Sequence, residues 1–400
     1  MEFSLNTQIL IGTFLIAAIL GAVVNKTNFC TMGAVSDWVN IGDKGRLRAW
    51  FLALTVALIG VLAIESMAWV GFDGTRPPYR SANFAWARYL LGGALFGVGM
   101  TLASGCGNKN LVRIGGGNLK SIFVVVIAGV FAYLMTKTDF YGIVFHSWIN
   151  PISIDLSRMG LGGQDLGSLF AGATGGDAGS IRLIVGGLIS VVVLVFVFKS
   201  RDFRRSRDNI LSGLAVGLAV IAAWYLTGGP IGQEAIEEVE WLDAKPDGVG
   251  VQSFTFINPM GETLAYLVEP RNLLLITFGV AALSGVIVGS FIYAVLTGNF
   301  RVEWFASIAD FVRHLIGAVL MGIGGVLGMG CTIGQGVTGT STLALGSFLT
   351  LFSIIIGSAT TMKVEYYRML YEEASFGDAL VTGLVDLHLL PKGLRKLEAL

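Results

Sequence analysis

Nine apolar runs, each long enough to cross a lipid bilayer, leave this chain few possible folds. A hydrocarbon core is spanned by about 20 apolar residues in helical form. The runs fall at about 9–24, 49–70, 89–105, 121–136, 181–198, 210–226, 272–297, 314–330 and 343–362. Lipid offers the backbone no hydrogen-bond partners, so each run is expected as a helix. Only 14% of the 400 residues are charged, against about 25% in soluble domains. The sequence therefore predicts an all-α polytopic membrane protein whose solvent is the lipid bilayer. The first run is expected to be a retained helix, because MEFSLNTQ carries an acid where a secretory signal has cations.

Basic and acidic residues balance at 27 each, which gives no electrostatic reason to expect a nucleic-acid partner. Lys and Arg set the direction of the spans. The connection KSRDFRRSRDN holds Lys199, Arg201, Arg204, Arg205 and Arg207, and placing it in the cytoplasm puts the N-terminus outside and the C-terminus inside. Arg76, Arg80 and Arg88 then cluster in an outer loop against the trend. The segments 137–180 and 228–271 become long outer loops without a periodic apolar face, although 251–268 is less simple. Glu65, inside the second run, is the one embedded acid; it either pairs with an Arg or faces a cavity.

Sliding the chain on itself by 225 residues lays RYLLGGALFGVGMTLASGC, Arg88 to Cys106, over RHLIGAVLMGIGGVLGMGC, Arg313 to Cys331, with nine of nineteen positions identical. A weaker match at 228 lays TNFCTMG over TFINPMG and pairs Cys30 with Asn258. Five runs separate Arg88 from Arg313, an odd number, so the two copies are expected to cross the membrane in opposite directions. The expected architecture is an inverted repeat of four spans, one connecting span and four spans, with the substrate site near the midplane between the repeats. Repeat one takes residues 1–136, the connecting helix 181–198, repeat two 210–362 and a cytoplasmic tail 363–400, all within one membrane domain.

In both copies the apolar helix ends at Gly-Cys and gives way to a polar, Gly-rich stretch: GNKNLVRIGGGNLK after Cys106 and TIGQGVTGTST after Cys331. GNLKS fails as a phosphate loop, since Leu119 stands where Gly should precede Lys120. Irregular backbone at membrane depth is tolerated only inside protein or beside an aqueous cavity. Broken or re-entrant helices are accordingly expected near Cys30, Cys106, Asn258 and Cys331, and half-helix N-termini aimed at a midplane site favour an anion. Most of the membrane glycines are expected to be close-packing surfaces, with Gly105 and Gly330, at the breaks, as candidate contacts. Lys109 and Arg113 serve either as cytoplasmic anchors or as cations that draw the anion inward.

Three cysteines without a CxxC pair supply neither a redox motif nor a zinc site, and no metal or cofactor is expected. A neutral thiol is a weak donor with a soft acceptor. It suits a ligand that is itself soft, such as a small inorganic sulfur anion. Soft metals favour thiolates too, but the eleven Met residues are dispersed.

The motif GxGxxxxxGC, at Gly97–Cys106 and again at Gly322–Cys331, together with TNFCTMG, resembles the YeeE/YedE family, membrane proteins with a sulphur transport domain that include bacterial thiosulfate transporters. The resemblance implies uptake of thiosulfate across a bacterial inner membrane along a narrow path, with Cys30, Cys106 and Cys331 as successive weak hydrogen-bonding groups and no enzymatic step. It also implies a small cytoplasmic sulfur-carrier protein as a possible partner, which an amphipathic tail could dock. Two alternatives stay open: a membrane sulfurtransferase that carries a persulfide, and a transporter of a selenium compound or a soft metal.

Overall fold

Nine helices of the computed structural model are long and apolar enough to cross a membrane, counted among the described residues, 4–371 and 373–398. Residues 1–3, 372 and 399–400, which the expected first repeat and tail include, lie outside that set. The protein is a multi-pass membrane protein. Its spans are α1 (Leu5–Thr27), α3 (Gly45–Ser66), α4 (Trp86–Leu102), α6 (Leu119–Lys137), α7 (Ala178–Phe198), α8 (Arg207–Gly228), α10 (Phe278–Leu296), α11 (Ile308–Leu327) and α12 (Leu345–Leu370). Among the shorter helices are α2 (Thr31–Ser36), α5 (Gly107–Gly115), α9 (Ile257–Val268) and α13 (Phe376–Asp386).

Capping sets several of the starts. Ser4, Asn118, Asp177, Thr277 and Ser307 each accept a hydrogen bond from the backbone N–H three residues on, opening α1, α6, α7, α10 and α11. The cap at Thr277 explains why the apolar run expected from 272 becomes a spanning helix only at Phe278; Leu273–Leu275 is a separate single turn capped by Asn272. The two long loops are more structured than expected. Asp165 caps a helix over Leu166–Thr174, and Pro230 opens another over Pro230–Glu240, the position where its missing N–H costs nothing.

The packing is reciprocal. α1 lies on α10 as α8 lies on α3, and α4 lies on α12 as α11 lies on α6, while α4 and α11 cross each other at the centre. Backbone touches backbone at that crossing. A Cβ added to Gly99 would sit 2.7 Å from the carbonyl oxygen of Gly317, and one added to Gly317 would sit 2.7 Å from that of Gly99. Gly92 and Gly324 face each other in the same way, with distances of 2.8 Å to the opposite carbonyl oxygens. Glycine is the only residue that permits this approach. By contrast α7 contacts the bundle through one side only, and Leu183, Ile184, Leu188, Val191, Val192 and Val195 are exposed to what is lipid in the membrane. In the tail, α13 buries Ala379, Thr382 and Val385, and it packs on α12.

Candidate functional site

Both copies of the repeat break in the same way. α4 ends at Leu102, Ser104 turns into the left-handed region (φ 57°), and Cys106 is extended before α5 begins at Gly107. α11 ends at Leu327, Met329 turns likewise (φ 58°), and Cys331 precedes a wide helical stretch over Gly334–Gly339. A third break follows α1. Asn28 is left-handed (φ 54°), and Cys30 is extended and opens α2. Each break lowers a cysteine into the core, so all three thiols are free and buried.

The breaks also aim the thiols. The Gly33 N–H points at the Cys30 sulfur at 3.4 Å, and the Gly334 N–H at the Cys331 sulfur at 3.5 Å. Cys30 neighbours Cys106, Cys106 neighbours Thr332, and Cys331 neighbours Thr255 and the Phe256 backbone. The order Cys30, Cys106, Thr332, Cys331, Thr255 is thus continuous through the centre. The hydroxyls of Thr255 and Thr332 are buried and make no hydrogen bond of ordinary geometry. Such atoms are rare in a settled core and mark a place where a ligand or water is expected.

A polar cavity opens at each end of this line. One, of about 470 Å3, is lined by Asn28, Lys109, Arg113, Lys120 and Arg301 among others. Lys109 is 9% exposed and its ammonium donates to the Asn28 side-chain oxygen at 2.9 Å, two residues from Cys30. The Arg113 guanidinium donates to the Ser104 carbonyl at 2.6 Å, tying α5 to the break that precedes it. The other cavity, of about 460 Å3, is lined by Arg76, Arg88, Gln252, Thr255, Asn258 and Glu262 among others. Here the Asn258 side-chain oxygen and the Arg88 Nε are buried without partners, and the Arg88 guanidinium lies over the Tyr141 ring at 5.0 Å.

The structure thus brings Cys30, Cys106 and Cys331 together, with Lys109 and Arg113 at one mouth and Asn258 at the other. Gly105 and Gly330 close turns. Their N–H groups donate to Met100 and Gly325 at 2.9 and 2.7 Å, so they are engaged within the chain, and the Gly105 carbonyl accepts from Asn110. Sequence reasoning passed over Asn28, Arg76, Arg88, Thr255 and Thr332 as site residues. A signal existed for Thr332, because Cys-Thr recurs as Cys30-Thr31 and Cys331-Thr332. Arg88 and Thr255 recur in the two repeat matches, opposite Arg313 and Thr27, but Arg76 carries no local signal, and the three meet only through the fold.

Glu65 lines neither of these two cavities. It pairs with Arg80 at 2.5 Å and with Arg182 at 3.1 Å, and Arg182 continues to Asp165 at 2.7 Å. Burial pushes the Asp165 carboxyl up, but the hydrogen bonds from Arg182 and Ser168 hold it below the usual carboxylate range. This network also accounts for Arg80, one of the three arginines that opposed the expected charge trend: its side chain is 3% exposed and is neutralised by Glu65.

The chain is similar to the thiosulfate transporter TsuA of Escherichia coli (strain K12), 25% identical over 371 residues that cover 90% of this chain and 96% of the relative. It is equally similar to the thiosulfate transporter TsuA of Spirochaeta thermophila, 25% identical over 361 residues covering 88% and 98%. The sulphur transport family matches residues 26–360, most of the chain. With two broken helices, a line of thiols and matching relatives over nearly its full length, this membrane protein belongs to the sulphur transport family.

Proposed function

We propose that the protein carries thiosulfate, or a closely related inorganic sulfur anion, across a bacterial inner membrane along the line of cysteines. The observation that carries this reading is the unbroken order of thiols and threonine hydroxyls between two cavities whose linings hold more basic than acidic side chains. Arginine and lysine concentrate the anion at each mouth. Between the mouths, full charges would hold it too tightly. Neutral thiols and hydroxyls give weak donor and acceptor contacts that form and break at each step, and a terminal sulfur matches their softness. The path transports without a chemical step.

Reciprocal packing of the spans, α1 on α10 as α8 on α3, supports an inverted repeat, 1–136 against 210–362 around the connecting helix 181–198. In this reading the mouth lined by Lys109, Lys120 and Arg301 is cytoplasmic, the N-terminus lies outside and the C-terminus inside. A small sulfur-carrier protein would receive the anion at that mouth. The face of α13 that holds Ala379 and Val385 is engaged by α12, so a carrier docking on the tail would meet its other side, where Phe376 is exposed.

The test is uptake of labelled thiosulfate by cells that lack their own importers, wild type against Cys331→Ala, with sulfate as competitor. Uptake that needs the thiol and resists sulfate supports the reading. Uptake that survives the loss of both Cys106 and Cys331 refutes it.

A further inference from the structure

Glu65, bound between two arginines, is unavailable to the anion, but a different acid lies on the proposed path. Glu262, in α9, lines the Arg76 cavity. Its Oε2 lies 2.5 Å from the Thr277 hydroxyl. A Cβ added to Gly279 would come within 2.6 Å of that same oxygen, so the carboxyl is wedged against the first turn of α10. Among the described residues, the Thr277 hydroxyl is the group that hydrogen-bonds this carboxyl.

The charged groups that face Glu262 are few. Arg76 and Arg88 share its cavity. Lys137 of α6 and Asp247 of the preceding loop stand nearby and pair with each other at 3.0 Å. From α10 come only the Thr277 hydroxyl and the backbone at Gly279, and the α11 side presents Val326 and Met329. With Lys137 and Asp247 cancelling, the cavity holds two guanidinium groups against one carboxylate. An ionised Glu262 therefore repels an incoming dianion and halves the charge left to receive it, and low-dielectric walls strengthen that repulsion over its value in water.

We propose that Glu262 is a proton-binding site, and that the cavity takes up the sulfur dianion together with a proton on this carboxyl. The protonated acid becomes a hydrogen-bond donor to the anion, and the two guanidinium groups then match its two charges. The inference rests on the transport reading above.

Purified protein in vesicles, held at equal pH on both sides so that no proton gradient drives flux, tests it with labelled thiosulfate well below saturation. Wild-type uptake should fall by about tenfold for each pH unit above the carboxyl's titration point, Glu262→Asp should keep that response, and Glu262→Gln should be flat. A Glu262→Gln protein that keeps the wild-type slope overturns the proposal, as does wild-type uptake that ignores pH. Both outcomes leave transport itself standing. Wild-type vesicles that take up no thiosulfate overturn the transport reading, and this inference with it. Where Glu262→Gln does not assemble, infrared spectra of the wild type decide. A protonated-carboxyl band that grows when thiosulfate is added at fixed pH supports the site, and an unchanged band overturns it.

Discussion

Replacing Gly99 with Ala sets a methyl carbon 2.7 Å from the Gly317 carbonyl oxygen, where ordinary contact begins at 3.4 Å. Both partners are backbone, so no rotamer can relieve the clash, and the α4–α11 crossing must open by about 0.7 Å. Overpacking of this kind costs about 1–3 kcal/mol. Gly317→Ala meets the mirror-image obstacle at the same distance and should cost the same within a few tenths. Once one methyl has parted the helices, the second finds the space already open. The double variant should therefore cost clearly less than the two single variants added together. Gly187→Ala, with nothing within 4 Å of its Cβ, is the neutral control. Denaturant unfolding in one detergent, followed by intrinsic fluorescence, measures all four proteins. Additive costs, or a Gly99→Ala protein as stable as Gly187→Ala, would refute the account of the crossing.

Cys106→Ala and Cys331→Ala should each reduce thiosulfate uptake to background while leaving membrane-inserted protein at wild-type amounts, read from transport and immunoblots of the same cells. Thr332→Val, which keeps shape and removes the hydroxyl beside Cys106, should slow uptake several-fold without loss of stability. Arg88→Gln should raise the thiosulfate concentration needed for half-maximal uptake, and the difference from wild type should shrink in high salt, as screening removes the attraction. Asp165 has a depressed carboxyl pKa. Its stabilising contribution is therefore complete above the unfolded carboxylate range, near pH 4, and is lost as pH falls through the lower folded value. Asp165→Asn should cost on the order of 2 kcal/mol, less than the ~3–5 of an isolated broken pair, because Arg182 keeps Glu65. Acid denaturation curves of the two proteins measure the difference.

The spans were legible because each is a local property: enough apolar residues in succession, ended by Gly, Lys or Arg. The repeat was legible because its crossing demands glycine at fixed intervals, so Gly92, Gly99, Gly317 and Gly324 recur at one offset. The breaks at Cys106 and Cys331 could be read from the polar stretch that follows each thiol. The surroundings of the site could not. Cys30 and Cys106 are far apart in the chain, and Arg76 reaches the second cavity only because its loop folds over the Gln252 backbone. Glu65 stood out as an embedded acid, yet its partner Arg182 lies 117 residues away on another span. The short helix expected around Asn258 is α9, twelve residues long and too short to register as a span, but nothing in the sequence marked its Glu262 as a cavity residue.

The meeting of backbone with backbone where α4 crosses α11 bears on time as well as on shape. Rocking two helices in carbonyl contact would part that contact, and the breaks that hold Cys106 and Cys331 follow directly from those helices. On the proposed path the motion expected is that of side chains, on a scale of picoseconds to nanoseconds, rather than a microsecond-to-millisecond swing of one half against the other. A passage of that kind selects by fixed distances between sulfurs and hydroxyls. Its rate should follow anion supply at the mouths more closely than any cycle of the protein.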